Sequence, residues 1–364
     1  IHLFYNTEPD ILGQGEMSRF LQQLQVESGW KVKPEILHTP IEPTPVKPIV
    51  INKDAGVLEA LVRLNEGSSR FKGISPSALN SYIDCSLQFY FKQLAKLREA
   101  NQVEDYVDAR LFGNLLHDVM EKFYRRIQDR KKSNLIQSTD FDKYKETVRQ
   151  LIDETFIKHY GLDPNRKVAY EGQTLVAREV IRGFVEKVLE HDKAYTPFYI
   201  EGLERGEWQH FVPIQHAPGR VILSGKIDRL DRKDNTVRVL DYKTGKADLD
   251  FDSVESLFDG GKKKRNKAAF QTLIYSLLYK STSQAGQVAI VPGLVGRQSL
   301  FADEFHPNLV LNYKEVTDVN DILPEFEARL KQLLEEIFDP SKPFVQTENT
   351  EYCKYCPFKA ICYR

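Results

Sequence analysis

Past residue 50 the apolar positions follow helical spacing. Ser75-Pro76 supplies an N-cap and a proline at the first helical position, and Leu79, Tyr82 and Ile83 then share one face. The same periodicity predicts helices over 108–130, 141–160 and 173–192. Between Pro197 and Gly245 the period falls to two. Segments 211–214, 221–230 and 236–241 are short, rich in β-formers, and broken by Pro-Gly and Asp-Asn turn signals. Helical spacing returns over 267–281, followed by strands at 288–292 and 309–313 and a helix at 321–338. No internal repeat interrupts the series. Helices, a small sheet, then helix and strand predict an α/β core wrapped by helices.

The first forty residues read differently, as a strand over 2–6, a loop and a short helix over 16–25. Thr39-Pro-Ile-Glu-Pro-Thr-Pro-Val-Lys-Pro48 holds four prolines in ten residues, which stiffens and extends the backbone. The expected organisation is therefore the tail of a preceding domain (1–38), a linker (39–50) and a main domain (51–364). The chain opens at Ile1, which suggests a piece of a longer protein.

Composition narrows the class without naming it. Of 364 residues, 41% are hydrophobic and 28% charged, as in soluble globular proteins. No apolar run approaches the roughly 20 residues that span a bilayer, so no membrane association is expected. With 51 basic and 52 acidic residues the net charge is −1, so nucleic-acid affinity would have to come from local patches. Four cysteines without a secretory signal fit a reducing compartment.

The chemistry concentrates in Leu223-Ser-Gly-Lys-Ile-Asp-Arg-Leu-Asp231, a turn at 232–235, and Val237-Arg-Val-Leu-Asp-Tyr-Lys-Thr-Gly245. Alternation puts Asp241 and Lys243 on one side of a strand, and a hairpin of this length brings Asp228 beside them. Two carboxylates and an amine converging there are costly if dry and unpaired. A divalent cation such as Mg²⁺ or Mn²⁺ relieves that cost, and the lysine can position or deprotonate a water. The plainer alternative is an exposed hairpin with a surface Lys–Asp pair.

Gly225-Lys-Ile-Asp228-Arg229 followed by Asp241-Tyr-Lys243-Thr-Gly245 resembles the RecB/AddB-type nuclease core of the PD-(D/E)XK superfamily. The resemblance covers residues 75–364 and implies a small central mixed β-sheet of restriction-endonuclease type. It implies Asp228 and Asp241 as metal ligands, Lys243 as the residue assisting the attacking water, and the Tyr242 carbonyl as a further ligand. It also implies a metal-binding His117, from Gly113-Asn-Leu-Leu-His117, and substrate-side roles for Gln271 and Tyr275, four apart on one helix face. An acidic residue on the strand before the hairpin is expected too: Glu204, with Glu201 and Glu207 competing. The basic run containing Lys262, Lys263, Lys264 and Arg265 is expected to contact phosphate. Its bland reading is a solvated loop.

Cys353-Lys-Tyr-Cys356-Pro-Phe-Lys-Ala-Ile-Cys362 closes the chain, and Cys85 lies far upstream. Four thiolates satisfy a [4Fe–4S] cluster or a Zn(Cys)₄ site. The layout resembles the iron–sulfur staple of AddB-like nucleases, with Ser86 where that family usually has proline. The resemblance implies a bacterial cytoplasmic DNA exonuclease for break repair and recombination. Its substrate would be single strands unwound by a helicase partner subunit or an N-terminal helicase-like domain. Glu16-Met-Ser-Arg-Phe20 resembles the end of such a domain. No phosphate-binding G-x-x-x-x-G-K-[ST] loop occurs. Two alternatives are a non-catalytic DNA-binding scaffold and a zinc-stabilised interaction module.

Overall fold

The computed structural model describes residues 3, 17–33, 35, 47–67, 73–98, 109–160, 163, 170–206, 208–261, 265–282, 288–302 and 304–364. They belong to two units, Ile1–Lys47 and Pro48–Arg364. In the smaller unit, helix α1 (Arg19–Glu27) begins three residues later than the predicted 16–25 and buries none of its side chains. Apart from Leu3, the predicted strand at 2–6 lies outside the described residues, as does most of the proline-rich stretch.

The larger unit opens with β1 (Val50–Ile51) and α2 (Ala55–Glu66), whose N-cap Asp54 accepts the Val57 N–H at 2.9 Å. At α3 (Pro76–Asp84), Ser75 accepts the Ala78 N–H and proline stands first in the helix, as its sequence dictates. Then come α4 (Ser86–Phe89), α5 (Ala109–Lys131), β2 (Leu135–Ile136), α6 (Tyr144–Tyr160) and α7 (Gly172–Tyr195). The strands β3 (Phe198–Arg205), β4 (Gln209–Pro213), β5 (Arg220–Ser224), β6 (Ile227–Lys233), β7 (Thr236–Lys243) and β8 (Asp250–Phe251) follow. The chain finishes through α8 (Lys267–Lys280), β9 (Ala289–Gly296), α9 (Arg297–Leu300), β10 (Val310–Leu311), β11 (Lys314–Glu315), α10 (Leu323–Phe338) and β12 (Phe344–Val345).

The central sheet has the order β2-β3-β6-β7-β9. β6 and β7 form the antiparallel hairpin, while β9 runs parallel to β7 with Lys243 opposite Gly296. The sheet is therefore mixed and covered by helices, as expected. Leu240, Tyr242 and Val295 pack toward α5, α6 and α7. Val237, Val239 and Leu294 pack toward α8 and α10, the two-faced alternation that a central strand requires.

Two predicted strands come out differently. Segment 221–230 divides into β5 and β6, which belong to separate sheets. The break falls at Gly225, where a Cβ would come 2.7 Å from Tyr275 Cε1; the chain passes α8 too closely for any side chain. The strand expected at 309–313 shortens to Val310–Leu311, because Asn312 and Tyr313 take φ of 46° and 64° and turn the chain into β11.

A closed ionic network fills the interface between the sheet and α5–α7. Arg229, 1% exposed, donates to both Asp192 oxygens at 2.6 and 2.7 Å, to Asp231 at 3.0 Å, and to the hydroxyls of Tyr124 and Tyr242 at 3.1 and 3.0 Å. Arg238 makes a two-pronged bond to Asp231 at 2.8 and 2.9 Å. Buried charges of this kind are tolerated only when paired and fully hydrogen-bonded. Replacing Asp192 with Ala would leave a guanidinium without its main counter-ion. The expected loss is about 3–5 kcal/mol in urea unfolding, and a loss below 1 kcal/mol would show the network to be dispensable.

Candidate active site

β3, β6 and β7 all bring acidic side chains to one end of the sheet. Glu204 lies between the pairs Leu203↔Arg229 and Arg205↔Ile227, directly across from Asp228. It adopts φ 50°, a conformation side chains with a Cβ rarely take and one that persists mainly at functional sites. From α5, His117 Nδ1 reaches to 3.0 Å from Glu204 Oε1 and 3.4 Å from Asp228 Oδ1. These three residues offer donor atoms all within 4.8 Å of one another. Burial works against a charged imidazole here, but Asp228 and Glu204 outweigh it and raise the His117 pKa to about 10.

Asp228 Oδ2 accepts the backbone N–H of Tyr242 at 2.7 Å, which ties β6 to β7 at the site. One residue earlier on β7, Asp241 is 1% exposed. Burial pushes its pKa up to about 7, with Lys243 opposing and Asp228 adding to the rise. Lys243 Nζ lies 2.8 Å from Asp241 Oδ2, yet no donor is aligned on that oxygen. Gln271 on α8 spans the pair: its Nε2 donates to Asp241 Oδ1 at 3.3 Å, and its Oε1 accepts from Lys243 at 3.3 Å. Tyr275, one turn on, accepts from Gln271 at 2.7 Å.

The donor chemistry suits a hard divalent cation, since carboxylate oxygens predominate and one imidazole nitrogen joins them. The unaligned, buried Asp241 oxygen faces the same end of the sheet. The expected trio of His117, Asp228 and Asp241 is rearranged in one respect. Glu204 completes the tight group, and Asp241 stands beside it, held by its lysine. Glu201, a competitor in the sequence, points elsewhere and pairs with Arg232 and the Tyr279 hydroxyl; Glu207 lies outside the described residues. Lys226 carries no signal of its own in the sequence. Its ammonium lies 2.5 Å from Glu204 Oε2, beside the ligand-like cluster.

The basic run fares differently. Lys262, Lys263 and Lys264 lie outside the described residues. Arg265 is 6% exposed and bonds to Asn80 Oδ1 at 2.7 Å, Asp84 at 2.9 Å and the Leu257 carbonyl at 3.0 Å. Its charge is neutralised internally, so the expectation of a phosphate contact there is corrected. Sequence position alone gave no sign that Asp84 and Asn80 would fold over it.

A second cluster forms where the C-terminal segment returns to α3 and α4. Cys85, Cys353, Cys356 and Cys362 line one pocket with Gln88, and none forms a disulfide. β12 pairs with β1, and the Val345 N–H donates to Ser86 Oγ at 2.9 Å, docking the segment beside Cys85. Gln88 Nε2 donates to Cys356 Sγ at 3.3 Å. Burial raises the Cys85 and Cys353 thiol pKa values, and neighbouring sulfurs add to both.

The chain is similar to three proteins, each named as the B subunit of an ATP-dependent helicase/deoxyribonuclease. That of Carboxydothermus hydrogenoformans is 27% identical over 210 residues, 53% of this chain and 18% of the relative. That of Clostridium tetani is 25% identical over 190 residues, 50% of this chain and 16% of the relative. That of Lactococcus lactis subsp. cremoris is 20% identical over 334 residues, 79% and 28%. The chain thus spans less than a third of the length of each relative. No helix among the described residues is long and apolar enough to cross a membrane. The family model of the PD-(D/E)XK nuclease superfamily matches residues 73–363, the span that contains the whole acidic site and all four cysteines, and the chain belongs to that superfamily.

Proposed function

We propose that this chain is a divalent-metal-dependent deoxyribonuclease that cuts single strands delivered by a helicase partner or helicase-like domain during repair and recombination of broken DNA. The observation that carries the reading is the convergence of His117, Glu204 and Asp228 beside the buried Asp241–Lys243 pair. Superfamily membership supports phosphodiester hydrolysis, and the relatives' shared name supports a DNA substrate and a motor nearby.

His117, Glu204, Asp228 and Asp241 would hold Mg²⁺ or Mn²⁺. When bound, the cation supplies Lewis-acid polarisation of a phosphoryl oxygen and favours ionisation of water. The protein's own groups set the geometry. Lys243 is positioned to orient the attacking water and to offset charge developing on the phosphate. Gln271 fixes the lysine's position through Oε1, and Tyr275 fixes Gln271 in turn. The Asp228–Tyr242 bond locks the two ligand-bearing strands together.

The four cysteines are proposed to hold a [4Fe–4S] cluster. Zinc sites more often pair two short cysteine knuckles, and a lone Cys85 with a C-terminal triplet fits that pattern less well. The role is structural, joining α3 to the C-terminus across nearly the whole unit.

Three outcomes follow. With a labelled single-stranded oligonucleotide and Mg²⁺ or Mn²⁺, Asp241→Ala and Asp228→Ala should each cut at least about a hundredfold more slowly. Cleavage that survives both substitutions and EDTA would refute the assignment, while DNA binding without cleavage in the parent would favour a scaffold. Lys243→Ala should lower kcat yet leave Mn²⁺ affinity within a few-fold of the parent, as titration calorimetry would report. Anaerobically purified protein should be brown, with about four iron atoms per chain. Cys356→Ala should lose that iron and melt at a lower temperature; an unchanged melting curve would exclude a staple.

A further inference from the structure

Beside the sheet's active end lies a groove that the proposed chemistry does not use. It measures about 410 Å³ and is lined by Val180, Gly183 and Phe184 of α7 and by Arg297 and Phe301 at α9. Its location follows from the topology. Gly296 is the strand partner of Lys243, and Arg297 is the next residue. Leu300 of α9 packs with Phe184 and Val188 of α7 and with Tyr242 and Val295, so the groove lies on the α5–α7 face of the sheet.

Three features of the groove have no structural explanation. Phe301 is 56% exposed, and Val180 and Val176 on the adjoining helix face are 45% and 62% exposed. Arg297 is exposed and makes no ion pair among the described residues. Gly183 stands in the middle of a 24-residue helix, where glycine costs about 0.5–1 kcal/mol relative to alanine. Close approach does not explain the glycine, because a Cβ there would meet nothing within 4 Å. The missing side chain leaves open space and serves no packing contact.

An open apolar slot, an exposed aromatic ring at its rim and an exposed guanidinium one residue beyond the strand partner of Lys243 match one ligand chemistry. Bases of a single strand stack on aromatic rings, and arginine takes the adjoining phosphate. We infer that the groove between α7 and α9 seats a nucleotide flanking the scissile phosphate, its base against Phe301 over Gly183 and its phosphate on Arg297. This rests on the nuclease reading above and extends it, giving the strand a path past the end of β9 on the face from which His117 reaches the site.

Binding of a fluorescent single-stranded oligonucleotide, followed by anisotropy with Ca²⁺ replacing Mg²⁺, tests the assignment directly. Phe301→Ala should weaken affinity about tenfold. Arg297→Ala should weaken it and lower the slope of log K against log salt by about one. Gly183→Leu should fill the slot, weaken binding by a similar factor and melt no lower than the parent, since leucine favours helix; that pairing excludes misfolding as the cause. Three variants binding within twofold of a parent that still cleaves would overturn the groove and leave the nuclease reading intact. The same result with a changed oligomeric state would mark a protein contact and overturn it equally. A parent that neither binds nor cleaves would remove both readings.

Discussion

Acidic side chains gathered out of water at one end of a sheet are the constraint on which the rest of this structure turns. Glu204, Asp228 and Asp241 face a common region, and each is at most a few per cent to a tenth exposed as a side chain. Like charges in a poorly solvated place repel strongly. The fold answers with cations from several elements: His117 from α5, Lys226 from the β5–β6 turn and Lys243 from β7. Burial, with Asp228 nearby, raises the Asp241 pKa even against Lys243, as in a site that has room for an additional positive charge.

The same problem is solved in the opposite way only one residue along each strand. Arg229 follows Asp228 and Tyr242 follows Asp241, and both turn away into the Asp192–Asp231–Tyr124 network. Its donors and acceptors are matched internally, so the interface around Arg229 is sealed. Tyr124 lies two helical turns beyond His117 on α5. One arginine therefore ties the helix of the imidazole to both ligand-bearing strands. An active end with an unmet carboxylate oxygen and a sealed region behind it is the expected division between a site and its support.

Distance along the chain separates the two clusters from their partners. Cys85 and the C-terminal triplet meet because β12 pairs with β1, and Ser86 anchors Val345. The presence of serine where the resembled family usually has proline is thus no defect, since its hydroxyl makes that anchoring bond. Arg265 shows the reverse case, a residue whose sequence neighbours suggest a solvent-facing loop but whose charge is absorbed by α3.

Period and punctuation in the sequence determined α3, α5 to α8 and α10, the hairpin and the mixed α/β class, because local spacing of apolar residues sets which face can be buried. They also determined that Asp241 and Lys243 share a side, since strand alternation is a local rule. What only tertiary structure decided involves contacts between distant segments. The split of 221–230 at Gly225 depends on how near α8 passes, and the choice of Glu204 over Glu201 depends on a positive φ and on which helix each faces. The Arg229 network and the open slot at Gly183 likewise depend on elements far apart in the chain, whose approach no local pattern encodes.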